Sequence, residues 1–437
     1  MNQKIVLLLL VVFSIETSIS QTIDRDKLDD YYSALAINNK FMGSVALMKD
    51  GQIIYTKQIG FSDIETMKKP DDNTKYRIGS ISKTFTAALV FKAIEEDRIT
   101  LDQRLATYFP TIKNSNVITI ADLLNHRSGI YNFTNDPAYL SYRTVPKSEA
   151  ELLSIISEYE SVFEPNTRSE YSNSNYVLLS FILEKLYNKS FAAILSEKIT
   201  APLGLKNTYL GGKIDISNNE TNSYSGEWNK ETETDMSIPL GAGGIVSTPT
   251  DILVFAEALF TFKIISEKNV AKMQTLKDNY GLGLFKMPFY ERYSFGHTGG
   301  IDGFSSMFGY FPEEKSAFAL TSNGSNFNNN DIAIALLSAL FNQNFEVPTF
   351  STYELSSEDL DQYLGVYSSD GFPLKVTITK SEGTLVAQAT GQPSFPLDAT
   401  DKDTFKFDQA GIVMEFEPAT NQMTLKQAGG VFMLTKE

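Results

Sequence analysis

The sequence predicts an α+β protein: an antiparallel sheet flanked by helices and joined to a mainly helical subdomain, followed by a small all-β domain. Three patterns carry this. Strand-like runs stand at both ends of residues 43–341 with helical patterns between them. Lys83 to Ile94 is apolar on nearly every side. From Tyr363 to Glu437, short alternating runs follow one another with Gly-containing turns.

At the N-terminus stand Lys4, an apolar run from Ile5 to Phe13, and Ser18-Ile19-Ser20 before Gln21. A basic end, a short apolar run and small residues form the order of a secretory signal. The expectation is a signal over residues 1–20 and a mature chain that is exported, periplasmic or extracellular, and soluble. The run is too short for a membrane span, which needs about 20 residues. No Cys follows it, so no lipid anchor on a lipobox Cys is expected.

From Gly43 to Ile59 two apolar-rich runs flank Lys49-Asp50-Gly51, and an Asp-Gly pair in that setting predicts a tight hairpin. The apolar helix after it is predicted to lie inside a large domain, which buries its N-terminus as well. Helical patterns continue at Ala121–Asn125, Glu149–Glu158, Tyr176–Leu186 and Thr250–Phe260. Strand-like runs return at Tyr293–Gly296, Ser305–Phe311 and Ala317–Thr321, and Asp331–Phe341 reads as a closing helix. The texture changes near Pro348, so an α+β domain is expected over residues 21–347 and an all-β domain over 348–437.

Composition narrows the chemistry. The net charge of −15 is wrong for a protein that neutralises phosphates, so no nucleic-acid partner is expected. With no Cys and 2 His, a thiol nucleophile, a disulfide framework and a Cys-based or three-His zinc site are excluded. No metal site and no organic cofactor are expected.

No G-x-S-x-G elbow occurs. Instead Gly79-Ser80-Ile81-Ser82-Lys83 opens the buried helix, and a spacing of three puts Ser80 and Lys83 on one face. Serine needs a neighbour to take its proton, and lysine can do so once burial lowers its pKa. The helix N-terminus adds N–H groups and a positive dipole end suited to an oxyanion. Tyr171-Ser172-Asn173 precedes the apolar helix at Tyr176. His297-Thr298-Gly299-Gly300 follows a strand and lets a sheet edge lie close against a ligand.

In this order the three elements resemble the S-x-x-K, Y-x-N and K-T-G or H-x-G motifs of the penicillin-recognising serine hydrolases, which include serine β-lactamases, D-alanyl-D-alanine carboxypeptidases, D-aminopeptidases and related esterases. The resemblance runs from about Leu35 to Phe341 and includes framework segments such as Leu123-Leu124-Asn125-His126-Arg127-Ser128-Gly129, Pro202-Leu203-Gly204-Leu205 and Gly243-Gly244-Ile245-Val246-Ser247-Thr248. It implies a β-lactamase-like fold.

The resemblance also implies roles. Ser80 is the acyl-accepting nucleophile, Lys83 its proton partner, and Tyr171 the base or the proton shuttle to the leaving group. Either Lys83 or Tyr171 takes the first proton. Asn173 holds the substrate amide and Thr298 faces a substrate carboxylate; Gly299 and Gly300 count with them as substrate-binding residues, and His297 counts with the catalytic ones. The N–H groups of Ser80 and Gly300 form the oxyanion hole.

His297 stands where many β-lactamases have lysine. A histidine near its ordinary pKa of about 6.5 is partly charged, so carboxylate binding should weaken and depend on pH. Lys286 and Arg292 are alternative sources of that charge. His126 is read as a structural hydrogen-bonder. Tyr131, Phe133, Tyr139, Tyr142, Tyr224 and Trp228 either wall the cleft or pack the loops. Tyr363-Leu364-Gly365-Val366-Tyr367 resembles the start of lipocalin-like β-barrel modules, with a role in support, cleft covering or docking.

The expected activity is a D-alanyl-D-alanine carboxypeptidase or D-amino-acid peptidase acting on a small peptide, amide or ester, cell-wall peptide included. The alternatives are an esterase or weak β-lactamase on the same scaffold, or a penicillin-binding sensor that acylates without turnover.

Overall fold

The computed structural model describes residues 23–350 and 352–437; the expected export signal lies outside the described residues. Helix α1 (Arg25–Ile37) leads into strand β1 (Phe41–Lys49), which turns back into β2 (Gln52–Ile59). Asp50 and Gly51 both take positive φ, 49° and 73°, as a two-residue type I′ turn demands. The principal helices that follow are α2 (Ser82–Glu95), α3 (Asn173–Tyr187) and α4 (Pro249–Phe260). Strands β3 (Phe285–Phe289), β4 (Arg292–Ile301), β5 (Phe304–Phe311) and β6 (Ser316–Ser325) and helix α5 (Asn329–Leu340) complete the unit.

The six strands form one antiparallel sheet in the order β2-β1-β6-β5-β4-β3. Strand β1 pairs with β6 from Phe41 opposite Ser325 to Lys49 opposite Ser316, so the two ends of this unit close one sheet. Alternate residues of β1 point to opposite faces. Val45 and Leu47 enter the core shared with α1 and α5, and Ala46 and Met48 the core shared with α2 and α4. Burial of a side chain such as Leu47 contributes about 1.5–3 kcal/mol. In the second core Phe85 of α2 stacks on Phe255 of α4 with ring centroids 3.7 Å apart.

The sequence reading passed over α1 and β3. The buried positions of α1, Leu28, Tyr31, Tyr32 and Leu35, follow helical spacing, but two are tyrosines set among charges, which mutes the apolar signal. Strand β4 also runs past Gly296 to Ile301, because Thr298 pairs opposite Met307 and Gly300 opposite Ser305. A glycine-rich stretch conceals such a strand, since pairing with the neighbour supplies what propensity does not.

Eight strands between Gly365 and Lys436 close into a barrel, with Tyr367 pairing opposite Lys436 at the seam. Its interior is filled by side chains that include Tyr363, Tyr367, Phe405, Phe416, Met423 and Leu434. The barrel meets the sheet domain where Asp408 pairs with Lys40 at 2.8 Å and Gln409 Nε2 donates to the Ser325 carbonyl at 3.3 Å. Among the described residues no helix is long and apolar enough to cross a membrane.

Candidate active site

Ser80 lies on a 3-10 turn, Gly79–Ile81, that runs directly into α2. This turn packs against β4 so tightly that only glycine fits at two places. Gly79 has φ +49°, and a Cβ there would sit 2.6 Å from the Gly300 nitrogen. A Cβ on Gly299 would sit 2.1 Å from the Ile78 carbonyl oxygen and 3.0 Å from the Ser80 nitrogen. The backbones of Ser80 and Gly300 are thereby brought together. Beyond Gly296, which pairs with Phe285, β3 no longer covers the edge of β4.

One turn after Ser80, at the second position of α2, Lys83 is fully buried. Its Nζ lies 2.9 Å from Ser80 Oγ, 2.7 Å from Asn173 Oδ1 and 2.7 Å from the Ala242 carbonyl. Burial pushes its pKa well below the ordinary lysine value. A neutral amine has two hydrogens and one lone pair. Two of the three neighbours are oxygens that only accept; in the neutral form they would take the two hydrogens and leave the lone pair for the Ser80 hydroxyl.

Asn173 is the first residue of α3. Its backbone N–H donates to Asn132 Oδ1 at 3.0 Å and its Nδ2 to Thr134 Oγ1 at 3.0 Å, which turns its amide oxygen toward Lys83. The phenol of Tyr171 hydrogen-bonds Ser80, and burial raises its pKa well above the usual tyrosine value. Its ring lies 4.8 Å from Lys83 Nζ, 4.4 Å from the His126 ring and 6.3 Å from the His297 ring. His126 Nδ1 accepts from the Ser172 N–H at 3.2 Å, a structural bond of the expected kind.

His297 departs from the sequence reading. It is buried against Phe285, with ring centroids 4.5 Å apart. Burial first, and the nearby Lys83 second, push its pKa down to about 3. The imidazole is therefore neutral at physiological pH and is no partial cation for a carboxylate. Its Nδ1 lies 2.5 Å from the Thr298 carbonyl; that oxygen only accepts, so Nδ1 carries the hydrogen and Nε2 is left as an acceptor. The alternative cations lie elsewhere: Lys286 stacks on Tyr293 at 3.7 Å, and Arg292 pairs with Glu314 at 3.2 Å. Thr298 and Gly300 are exposed at the strand's edge.

Beside Ser80 opens a cleft of about 240 Å³ bounded by Asn173, Gly300, Phe133, Tyr139 and Arg143. Of the six aromatics singled out, Phe133 and Tyr139 line it. Tyr131 stacks on Tyr159 at 4.1 Å, Tyr142 packs edge-on against Tyr139, Tyr224 bonds Asp63, and Trp228 lies over Gly324. Sequence reasoning missed the Ala242 carbonyl, Asn132, Thr134 and Arg143. The first is backbone, and the others sit in or at the ends of two short helical turns, Phe133–Asn135 and Tyr139–Tyr142, with no motif spacing. Among the described residues no group of three His, Asp or Glu side chains is placed to hold a metal ion.

A serine at a helix start, a buried amine, a phenol and a close-packed strand edge fit a serine hydrolase. The chain belongs to the Beta-lactamase family, whose pattern it matches over residues 39–343. It is 25% identical over 287 residues to the teichoic acid D-alanine hydrolase of Staphylococcus aureus, covering 63% of this chain and 69% of that one. The D-amino acid amidase of Ochrobactrum anthropi SV3 superposes with a TM-score of 0.63 at 26% identity over 72% of this chain and 99% of its own. The octameric penicillin-binding protein homologue of Pyrococcus abyssi has the same fold over 94% of this chain and 100% of its own, with a TM-score of 0.67 at 23% identity.

Proposed function

We propose that this chain is an exported hydrolase of D-amino-acid-containing amides, peptides or esters that works through an acyl-enzyme on Ser80. A D-alanyl-D-alanine carboxypeptidase or D-amino-acid peptidase activity stands foremost. The observation that carries the reading is the Lys83 amine, with two of its contacts on acceptor oxygens and the third on Ser80 Oγ. The names of the relatives, a D-alanine hydrolase and a D-amino acid amidase, support the substrate class. The export-signal pattern of residues 1–20 supports a place outside the cytoplasm.

In this reading Ser80 Oγ attacks the carbonyl carbon and its proton passes to Lys83 Nζ. The oxyanion is held by the Ser80 and Gly300 N–H groups; one such donor typically contributes about 10²–10³ in rate. Tyr171, kept as a phenol by its raised pKa, gives a proton to the leaving group and is reprotonated from Lys83. Water then attacks the ester, with the same groups acting in reverse. Asn173 holds Lys83 and faces the acyl group, and Thr298 meets the leaving-group side. Residues 21–347 form the hydrolase domain in this proposal and 348–437 the supporting barrel. Because His297 is neutral, a β-lactam carboxylate lacks the cation that many β-lactamases offer, which favours the peptidase and esterase readings.

A fluorophosphonate should shift the mass of the mature chain by one adduct, and Ser80→Ala should remove the shift; labelling that survives the change overturns the assignment. Rates on a D-alanyl-D-alanine peptide, a D-alanyl ester and a chromogenic cephalosporin separate peptidase, esterase and β-lactamase. A stable adduct without turnover identifies a sensor.

A further inference from the structure

The cleft beside Ser80 is bounded by Asn173 and Gly300 but by neither Tyr171 nor His297. On the proposed mechanism the leaving group departs toward the Tyr171 phenol, so the acyl part of the substrate stays in this cleft. Its volume of about 240 Å³ leaves room for an amino-acid residue with a short N-acyl group.

Arg143 stands in the wall of this cleft with its side chain 16% exposed. Its Nη1 donates to Asp302 Oδ1 at 2.6 Å and to Thr234 Oγ1 at 3.1 Å. Its Nε and Nη2 have no partner among the described residues. Those two nitrogens form the edge of a guanidinium whose parallel N–H groups match a carboxylate or phosphate. Asp302, the counter-ion, has no exposure, and its other oxygen is taken by Arg77 at 3.0 Å. It anchors one end of Arg143 and offers nothing to a ligand. An ammonium set against that edge would face N–H donors and a like charge.

We propose that Arg143 is a specificity residue that receives an anionic group carried by the acyl part of the substrate. Preferred substrates are then N-acylated D-amino acid derivatives bearing a carboxylate or phosphate, rather than free D-amino acid amides with an α-ammonium. This inference rests on the acyl-enzyme reading and narrows its substrate class.

The test compares three fluorophosphonates of equal chain length that end in a methyl, a carboxylate or a phosphonate. The rate of Ser80 labelling is followed by intact mass on the mature chain, Arg143→Gln and Arg143→Lys. In the unaltered protein one anionic probe should label at least tenfold faster than the methyl probe, and the faster of the two identifies the anion. Both substitutions should bring the ratio to within about twofold of one. Lysine would still neutralise Asp302, and therefore keep the fold, but its single amine lacks the fork. A ratio near or below one in the unaltered protein overturns the proposal, as does a high ratio that survives in Arg143→Lys. D-alanyl turnover is measured in parallel: its absence alongside an intact labelling preference overturns the D-amino-acid reading and leaves the anion subsite standing.

Discussion

Asn173 Oδ1 accepts from Lys83 Nζ at 2.7 Å across 90 residues of chain, and this contact helps set the direction of the lysine lone pair. Replacing the amide with a carboxylate would stabilise the ammonium. Asn173→Asp should therefore raise the Lys83 pKa by about 1–3 units. On the proposed mechanism the neutral amine is the active form, so activity is lost as pH falls through this pKa. The acid limb of kcat/KM should move to higher pH by that amount, with activity recovering in alkali. An unmoved limb removes Lys83 from the role of base.

His297 should contribute no titration near pH 6.5, because burial holds its pKa at about 3. Above that value the imidazole is uncharged. His297→Asn should leave the position of the acid limb of the pH-rate profile unchanged, whatever it does to the rate. A limb near 6.5 that vanishes in this variant would show that the histidine is charged in the working enzyme.

Tyr171 remains a phenol at neutral pH, since burial raises its pKa. Its proton matters for an amine leaving group and little for p-nitrophenolate, which departs as a stable anion. General-acid assistance is worth about 10²–10⁴. Tyr171→Phe should lower amide turnover by at least about 10² and p-nitrophenyl ester turnover by no more than about tenfold. Equal losses on both substrates would assign Tyr171 to the first proton transfer instead.

Gly79 is the point where the helix start meets β4. An alanine there would place its Cβ 2.6 Å from the Gly300 nitrogen and would also occupy the left-handed region, at about 1–2 kcal/mol. Gly79→Ala should lower kcat by about 10²–10³ by displacing one oxyanion donor. The melting temperature should fall by only a few degrees. A normal kcat would show that the two backbones need not be this close.

Much of the molecule was legible in the chain. The Asp50-Gly51 turn, the all-round apolar pattern of α2 and the alternating runs after Tyr363 gave the α+β architecture and its β-rich end, because period and turn chemistry are local properties. The spacing of Ser80 and Lys83 on one helical face was legible for the same reason. Helix α1 and strand β3 escaped notice: the buried stripe of α1 is half tyrosine, and β3 is held by its pairing with β4.

The chemical state of the site was decided only in three dimensions. Ser80, Tyr171 and His297 carry the same side chains in any conformation, but a pKa belongs to an environment. Burial pushes the Lys83 pKa down, keeps Tyr171 a phenol and renders His297 neutral, against the partial charge its ordinary value predicts. The Ala242 carbonyl and the free edge of Arg143 are likewise invisible in the order of residues. Sequence determines which groups are available and their local spacing; desolvation and long-range contact, which exist only once the chain has packed, determine the protonation states and partners in which those groups work.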